Sequence, residues 1–158
     1  MITVWPATLD DAADLLAWRN DPGTRAMCLT DVLVGWGGRV AWLTRTLATT
    51  DRRLLILEAG GRSAATARFD YDDPTEFSFT IAPAFRCKSL SLQLMSAAIA
   101  TEPAFIAHIR ASNRPCQRLA EAAGLRLVRD GAIRLWSFGA VSAAPDCTRA
   151  VEDARVFA

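Results

Sequence analysis

Apolar and polar positions along the chain switch between two periods. Residues 2–5, Ile2-Thr3-Val4-Trp5, alternate and stop at Pro6, the pattern of a half-buried strand. Over 9–18 the period lengthens. Leu9, Ala12, Ala13, Leu15, Leu16 and Ala17 recur at helical spacing, with Asp10 and Asp11 in the first turn, where a helix start favours negative charge. Asn20-Asp21-Pro22-Gly23 breaks that helix. The pattern assigns no element to 24–34. Val40, Leu43 and Leu47 then share one face of a second helix, which runs to residue 48.

A run of strands follows. Residues 53–59 are mostly apolar and turn at Gly60-Gly61, a hairpin signature. Residues 64–70 return, and Asp72-Asp73-Pro74 turns again. Residues 76–81 alternate up to the Pro83 stop, so the three segments predict an antiparallel meander. Leu90, Leu94, Met95, Ala98 and Ile99 place a helix over 90–100. A short strand over 104–109 and a helix over 114–123 come next, the helix ended by Gly124. Segments 125–128 and 133–138 form a last strand pair turned at Asp130-Gly131. The order β-α-α-β-β-β-α-β-α-β-β is that of an α+β class. Residues 1–139 read as one domain. Residues 140–158 read as a tail, either one short helix over 148–157 or a frayed terminus.

Composition narrows the function classes. Hydrophobic residues are 51% and charged residues 22% of 158, which excludes a disordered or collagen-like chain. Net charge is +1, with no basic cluster beyond Arg52-Arg53, so no nucleic-acid partner is expected. No apolar run approaches the roughly 20 residues of a membrane span, so no membrane partner is expected either. Cys28, Cys87, Cys116 and Cys147 lack metal-ligand spacing and there is one histidine, His108, so no metal is expected. Nothing suggests a secretory signal, and the cysteines read as reduced thiols of a cytoplasmic protein.

The densest chemistry lies at 81–92, Ile81-Ala-Pro-Ala-Phe-Arg-Cys-Lys-Ser-Leu-Ser-Leu92. A strand ends, a basic turn carrying Arg86 and Lys88 follows, and a helix begins near residue 89. Helix starts present unpaired amides and the positive dipole end, which suits a phosphate. The competing reading is a surface helix capped by Ser89.

This stretch resembles the pyrophosphate loop of the GNAT superfamily of acetyl-CoA-dependent N-acetyltransferases. That loop has the form Arg/Gln-x-x-Gly-x-Gly/Ala after a strand, and Arg86-Cys87-Lys88-Ser89-Leu90-Ser91 occupies the same frame. Ala82-Pro83-Ala84-Phe85-Arg86 is similar to the family's apolar-Pro-x-aromatic-Arg approach. Asn113 followed by Leu119, Glu121, Gly124 and Leu125 is similar to its Asn…Leu-Tyr-Glu-Lys-x-Gly-Phe segment. The resemblance covers residues 2–138. Trp18-Arg19-Asn20-Asp21-Pro22 with Trp36, Trp42 and Leu43 also resembles a branch that acetylates amino-sugar nucleotides or protein N-termini.

The resemblance implies a mixed, mostly antiparallel sheet with two splayed parallel strands in the middle and helices on both faces. It implies acetyl-CoA as co-substrate, held by Thr80 and Ile81, by Arg86 to Ser91 (that is, Arg86, Cys87, Lys88, Ser89, Leu90 and Ser91), and by Asn113. It places Trp18, Arg19 and Asn20 at the acceptor, a small amine with an amino sugar among the candidates. A homodimer is one open assembly. Trp18 and Trp42 also fit as core aromatics. Glu76, opening the strand that lines the cleft, is the candidate base; its other reading is an exposed strand-edge carboxylate. His108 reads more readily as a packed residue than a catalytic one.

Three departures stand out. Ser89 occupies a position where glycine permits unusual φ and close phosphate approach. Ala120 falls where many members place a tyrosine acid, and the one tyrosine is Tyr71. Gly37-Gly38-Arg39 replaces acidic residues and histidine before the second tryptophan. They keep open an alternative, a catalytically impaired binding or structural protein on the same fold with a degenerate CoA loop.

Overall fold

A computed structural model of the chain describes residues 2–86 and 89–141. The strands are β1 (Ile2–Pro6), β2 (Arg52–Ala59), β3 (Arg62–Asp70), β4 (Glu76–Ile81), β5 (Phe105–Arg110), β6 (Arg126–Arg129) and β7 (Ile133–Phe138). The helices are α1 (Ala12–Asn20), α2 (Pro22–Met27), α3 (Trp36–Ala48), α4 (Leu90–Thr101) and α5 (Arg114–Ala122). The strands form one sheet in the order β1-β2-β3-β4-β5-β7-β6. Every pairing is antiparallel except β4 with β5. This is the expected α+β class, with a mostly antiparallel sheet and a parallel pair in the middle.

The meander forms as the pattern predicts, and both hairpin glycines adopt the left-handed backbone, Gly60 at φ 61° and Gly61 at 76°. Two readings change. The first helix breaks at Asp21 as the pattern predicts, but the segment left unassigned from 24 begins as a helix: Asp21 accepts the Thr24 amide at 2.9 Å, and Pro22 starts α2. The buried face of α3 is Arg39, Leu43 and Thr46, one residue round from the predicted Val40-Leu43-Leu47 stripe; Leu47 is exposed. An arginine faces inward there because a polar cavity receives it. The helix suggested over 148–157 lies outside the described residues. Among the described residues no helix is long and apolar enough to cross a membrane.

Helices cover both sheet faces. Leu90, Leu94, Met95 and Ala98 of α4, with Cys116 and Ala120 of α5, pack on Phe77, Phe79 and Ile81 of β4 and Phe105, Ala107 and Ile109 of β5. On the other face Ala12, Leu15 and Trp18 of α1 and Leu43 of α3 pack on Leu54 and Ile56 of β2. Each large side chain so buried contributes about 1.5–3 kcal/mol.

Candidate active site

The ladder between β4 and β5 consists of one register pair, Glu76 with Ile106, after which the strands diverge. Where they part, a cavity of 360 Å³ forms, lined by Phe79, Ile81, Phe85, Leu90, Asn113 and Cys116 among others. On the opposite side of β4 a second cavity, of 220 Å³, lies beneath α1 and α3. Strand alternation sends Ser78 and Thr80 towards the second and Ile81 towards the first, and Phe79 lines both.

The first cavity is apolar in its walls. Leu90 and Ser91, at the start of α4, line it, and Ser89 precedes them at φ 59°, ψ 8°. Ser89 is the one non-glycine residue with positive φ among the described residues. The position demands the backbone that glycine supplies freely, and serine holds it under strain. The cap expected of Ser89 does not form: its side chain makes no capping hydrogen bond. A capping hydroxyl needs the extended backbone of an ordinary N-cap. Cys87 and Lys88 lie outside the described residues.

Arg86 lines the same cavity but reaches back to α2. Its Nη2 donates to Asp21 Oδ2 at 2.6 Å and to Thr24 Oγ1 at 2.5 Å. The charge expected to face phosphate is therefore already answered within the fold. Partial burial pushes the Asp21 carboxyl up, but the Thr24 amide and Arg86 outweigh it and hold it below the usual carboxylate value. The guanidinium passes over Gly23, where a Cβ would lie 2.7 Å from Arg86 Nη1.

Asn113 lines the cavity and caps α5, its Oδ1 accepting the Cys116 amide at 3.3 Å. Burial pushes the Cys116 thiol up to about 12, so it is no nucleophile. Ala120 is wholly buried in the core. Tyr71 lines neither cavity and donates its hydroxyl to Glu102 Oε1 at 3.1 Å.

The second cavity is polar. Trp18 and Arg19 line it, and Trp18 also packs in the core with Leu15 and Leu43. Asn20 does not line it. Its amide clamps the segment before α3, donating to Val34 O at 2.7 Å and accepting from Val34 N at 2.9 Å. Arg39, Arg45, Trp42, Thr66 and Arg68 complete the walls with Ser78 and Thr80. Arg68 Nε donates to Asp70 Oδ2 at 2.9 Å, and Arg52 reaches Asp70 Oδ1 at 3.0 Å.

Glu76 is 2% exposed, which overturns the exposed-carboxylate reading. It lies in register with Asp70 of β3, and His108 Nδ1 is 3.1 Å from its Oε1. Glu76 lines neither cavity but shares a strand face with Ser78, about 7 Å along β4 at the usual rise.

Sequence reasoning missed Arg45 and Arg68, and it read Arg39 only as a departure. A signal exists for Arg39, which stands in helical register with Leu43 and Thr46. A charge at core spacing marks a site.

A sheet opened by one divergent parallel pair is the arrangement that the sequence resemblance implies. Known structures share it. The spermidine N-acetyltransferase from Vibrio cholerae in complex with CoA and spermine matches with a TM-score of 0.77 and 13% identity, over 87% of this chain and 94% of that one. The Salmonella typhimurium protein yncA, solved with its cofactor acetyl-CoA, matches at 0.72 and 22%, over 92% and 98%. An N-acetyltransferase from Staphylococcus aureus Mu50 matches at 0.69 and 18%, over 88% and 98%. No family model and no curated protein matches the sequence. The chain has the GNAT fold.

Proposed function

We propose that this protein is an N-acetyltransferase that moves an acetyl group from acetyl-CoA to a small primary amine. The observation that carries the reading is the pair of cavities meeting at Phe79 beside a strand whose parallel ladder stops after one residue pair. One side is suited to an acyl carrier and the other to an acceptor. A CoA-dependent reaction also agrees with the cytoplasmic location expected from the sequence.

The residues present fit acetyl-CoA in two respects. The apolar walls from Ile81, Phe85, Leu90 and Cys116 suit a pantetheine-like chain. The left-handed backbone at Ser89 is the conformation a phosphate-binding turn requires before a helix start. Thr80 and Ile81 would hold the chain, Arg86 to Ser91 the phosphates, and Asn113 the far wall. Bound acetyl-CoA supplies a thioester: the amine forms its N–C bond as the C–S bond breaks, and water returns a proton to the thiolate. Glu76 takes the amine proton through water along the Ser78 side of β4, and His108 fixes the carboxylate. Trp18 and Arg19 contact the acceptor, and Asn20 positions them. An amino sugar is one acceptor of this class.

Calorimetry with acetyl-CoA, followed by an assay of CoA release with a panel of amines, tests the reading. Binding followed by amine-dependent release of CoA is expected. No binding at millimolar acetyl-CoA would leave the inactive binding protein as the better account.

A further inference from the structure

Among the described residues, four arginines line the polar cavity and no carboxylate does. Arg19, Arg39 and Arg68 are 4%, 8% and 6% exposed. Arginine is seldom buried to this degree without an anion beside it, because the charge gives up its hydration. Arg68 has Asp70, which Arg52 also uses. Arg19 and Arg39 have no carboxylate partner among the described residues. Arg19 spends Nη2 on Thr30 O and Oγ1, both at 3.1 Å, and its Nε and Nη1 have no acceptor. Arg39 Nε and Arg68 Nη2 also lack one.

These groups are held in place. Trp42 lies under two of them, its ring 4.8 Å from the Arg39 guanidinium carbon and 5.8 Å from that of Arg68. Burial, then the like charges of Arg19 and Arg68, lowers the Arg39 pKa to about 10, which still leaves it cationic at neutral pH. Burial keeps the neighbouring Cys28 thiol above its ordinary value against the pull of Arg19, Arg110, Arg25 and Arg39, so it supplies no counter-charge. The cavity is thus lined, together with Ser78 and Thr80 of β4, by arginines whose charge the described residues only partly answer.

We propose that this cavity is an anion receptor, and that the acceptor is a small primary amine that also carries an oxyanion, a carboxylate or a phosphate, seated against Arg19 and Arg39. The amine half of this statement rests on the acetyltransferase reading; the oxyanion half rests on the cavity. Guanidinium forks match both oxyanions through paired hydrogen bonds. The same four charges repel a polycation, so this chain parts from the Vibrio enzyme solved with spermine.

The test is a binding and turnover panel on the full chain saturated with CoA or acetyl-CoA. The probes are glucosamine 6-phosphate, L-glutamate, glucosamine and spermidine. One of the two anionic amines should bind at least about tenfold tighter than glucosamine, with spermidine weakest. Which of the two wins tells phosphate from carboxylate. Arg39→Gln should erase most of that preference and leave CoA affinity within about twofold. Arg39→Lys, which keeps the charge but not the fork, should fall between them. Glucosamine or spermidine binding as well as both anionic amines would overturn the receptor, as would an undiminished preference in Arg39→Gln. Anionic amines that bind selectively but are never acetylated would instead remove the acetyltransferase reading and leave the receptor standing.

Discussion

The two cavities that meet at Phe79 are made of opposite materials. The one between the diverging strands is walled by Ile81, Phe85, Leu90 and Cys116, side chains that favour burial whatever else is bound. The one beneath α1 and α3 holds Arg19, Arg39 and Arg68, side chains that resist it. The first can therefore contribute to stability and wait for its ligand. The second stores unfavourable electrostatics that an anion would relieve. On the reading proposed here, shape and backbone would set binding in the first, and charge in the second.

The largest effect expected from breaking this contrast is on the polar side. If Glu76 is the base, Glu76→Gln should lower kcat by roughly 10²–10⁴. The deficit should narrow at high pH, where the amine is already neutral. An unchanged neutral-pH rate, with circular dichroism showing the fold intact, would remove Glu76 from the mechanism.

Next in size is the stored charge. Arg39→Met should raise the urea midpoint at constant m-value, a gain of about 1–4 kcal/mol, because it removes a buried cation that has no partner carboxylate among the described residues. A lowered midpoint would mean that Arg39 is already compensated and that the two sides differ less than described.

On the apolar side, Ser89→Gly should raise Tm by about 2–4 °C, since a left-handed serine costs about 1 kcal/mol that glycine avoids. Removing its Cβ from the helix start should also tighten CoA binding by about fivefold in calorimetry. Weaker binding would make the serine a ligand.

The smallest effect sits at the rim of the apolar cavity. Asp21→Asn keeps the cap on Thr24 but removes the ion pair with Arg86, worth less than about 1 kcal/mol at this exposure. The Asp21 carboxyl is depressed in the fold, so the pair's stabilisation is complete above the unfolded carboxylate pKa, near 3.9, and is lost as pH falls through the folded value. Wild type and Asp21→Asn should thus converge in urea titrations below about pH 4. The freed Arg86 should also make CoA binding steeper in salt. A constant gap across pH would assign the difference to something other than ionisation.

The same contrast explains what the sequence discloses. The apolar cavity is built largely from 79–91 and 113–119, two short segments whose turn and cap residues are contiguous, so Arg86, Ser89 and Asn113 stand out from their immediate neighbours in the chain. The sheet is legible for the same reason, because hairpin turns are local. The polar cavity draws on residues near 18, 39, 66 and 78, brought together only when α1 and α3 close over the sheet. Thr66, Arg68 and Asp70 alternate with Ala65, Ala67 and Phe69 as a solvated strand face would, and nothing in that alternation says that two helices cover it. The pairing of Glu76 with His108 spans 32 residues and leaves no local trace. Arg86 shows the converse error: its position is legible, but its partner, Asp21, is not.

Gly23 has a consequence in a different currency, that of tolerated change. It sits exposed near the start of α2, where alanine would ordinarily improve the helix. Here the added methyl would meet the guanidinium of Arg86 at 2.7 Å, and the long arginine, being flexible, would swing aside. A change that strengthens one helix would thus release a cation into the neighbouring cavity without altering any charge in the chain. The missing side chain works as a detent. A lineage of such sequences can adjust how strongly that cavity attracts anions by one methyl group, at an uncharged position on its rim.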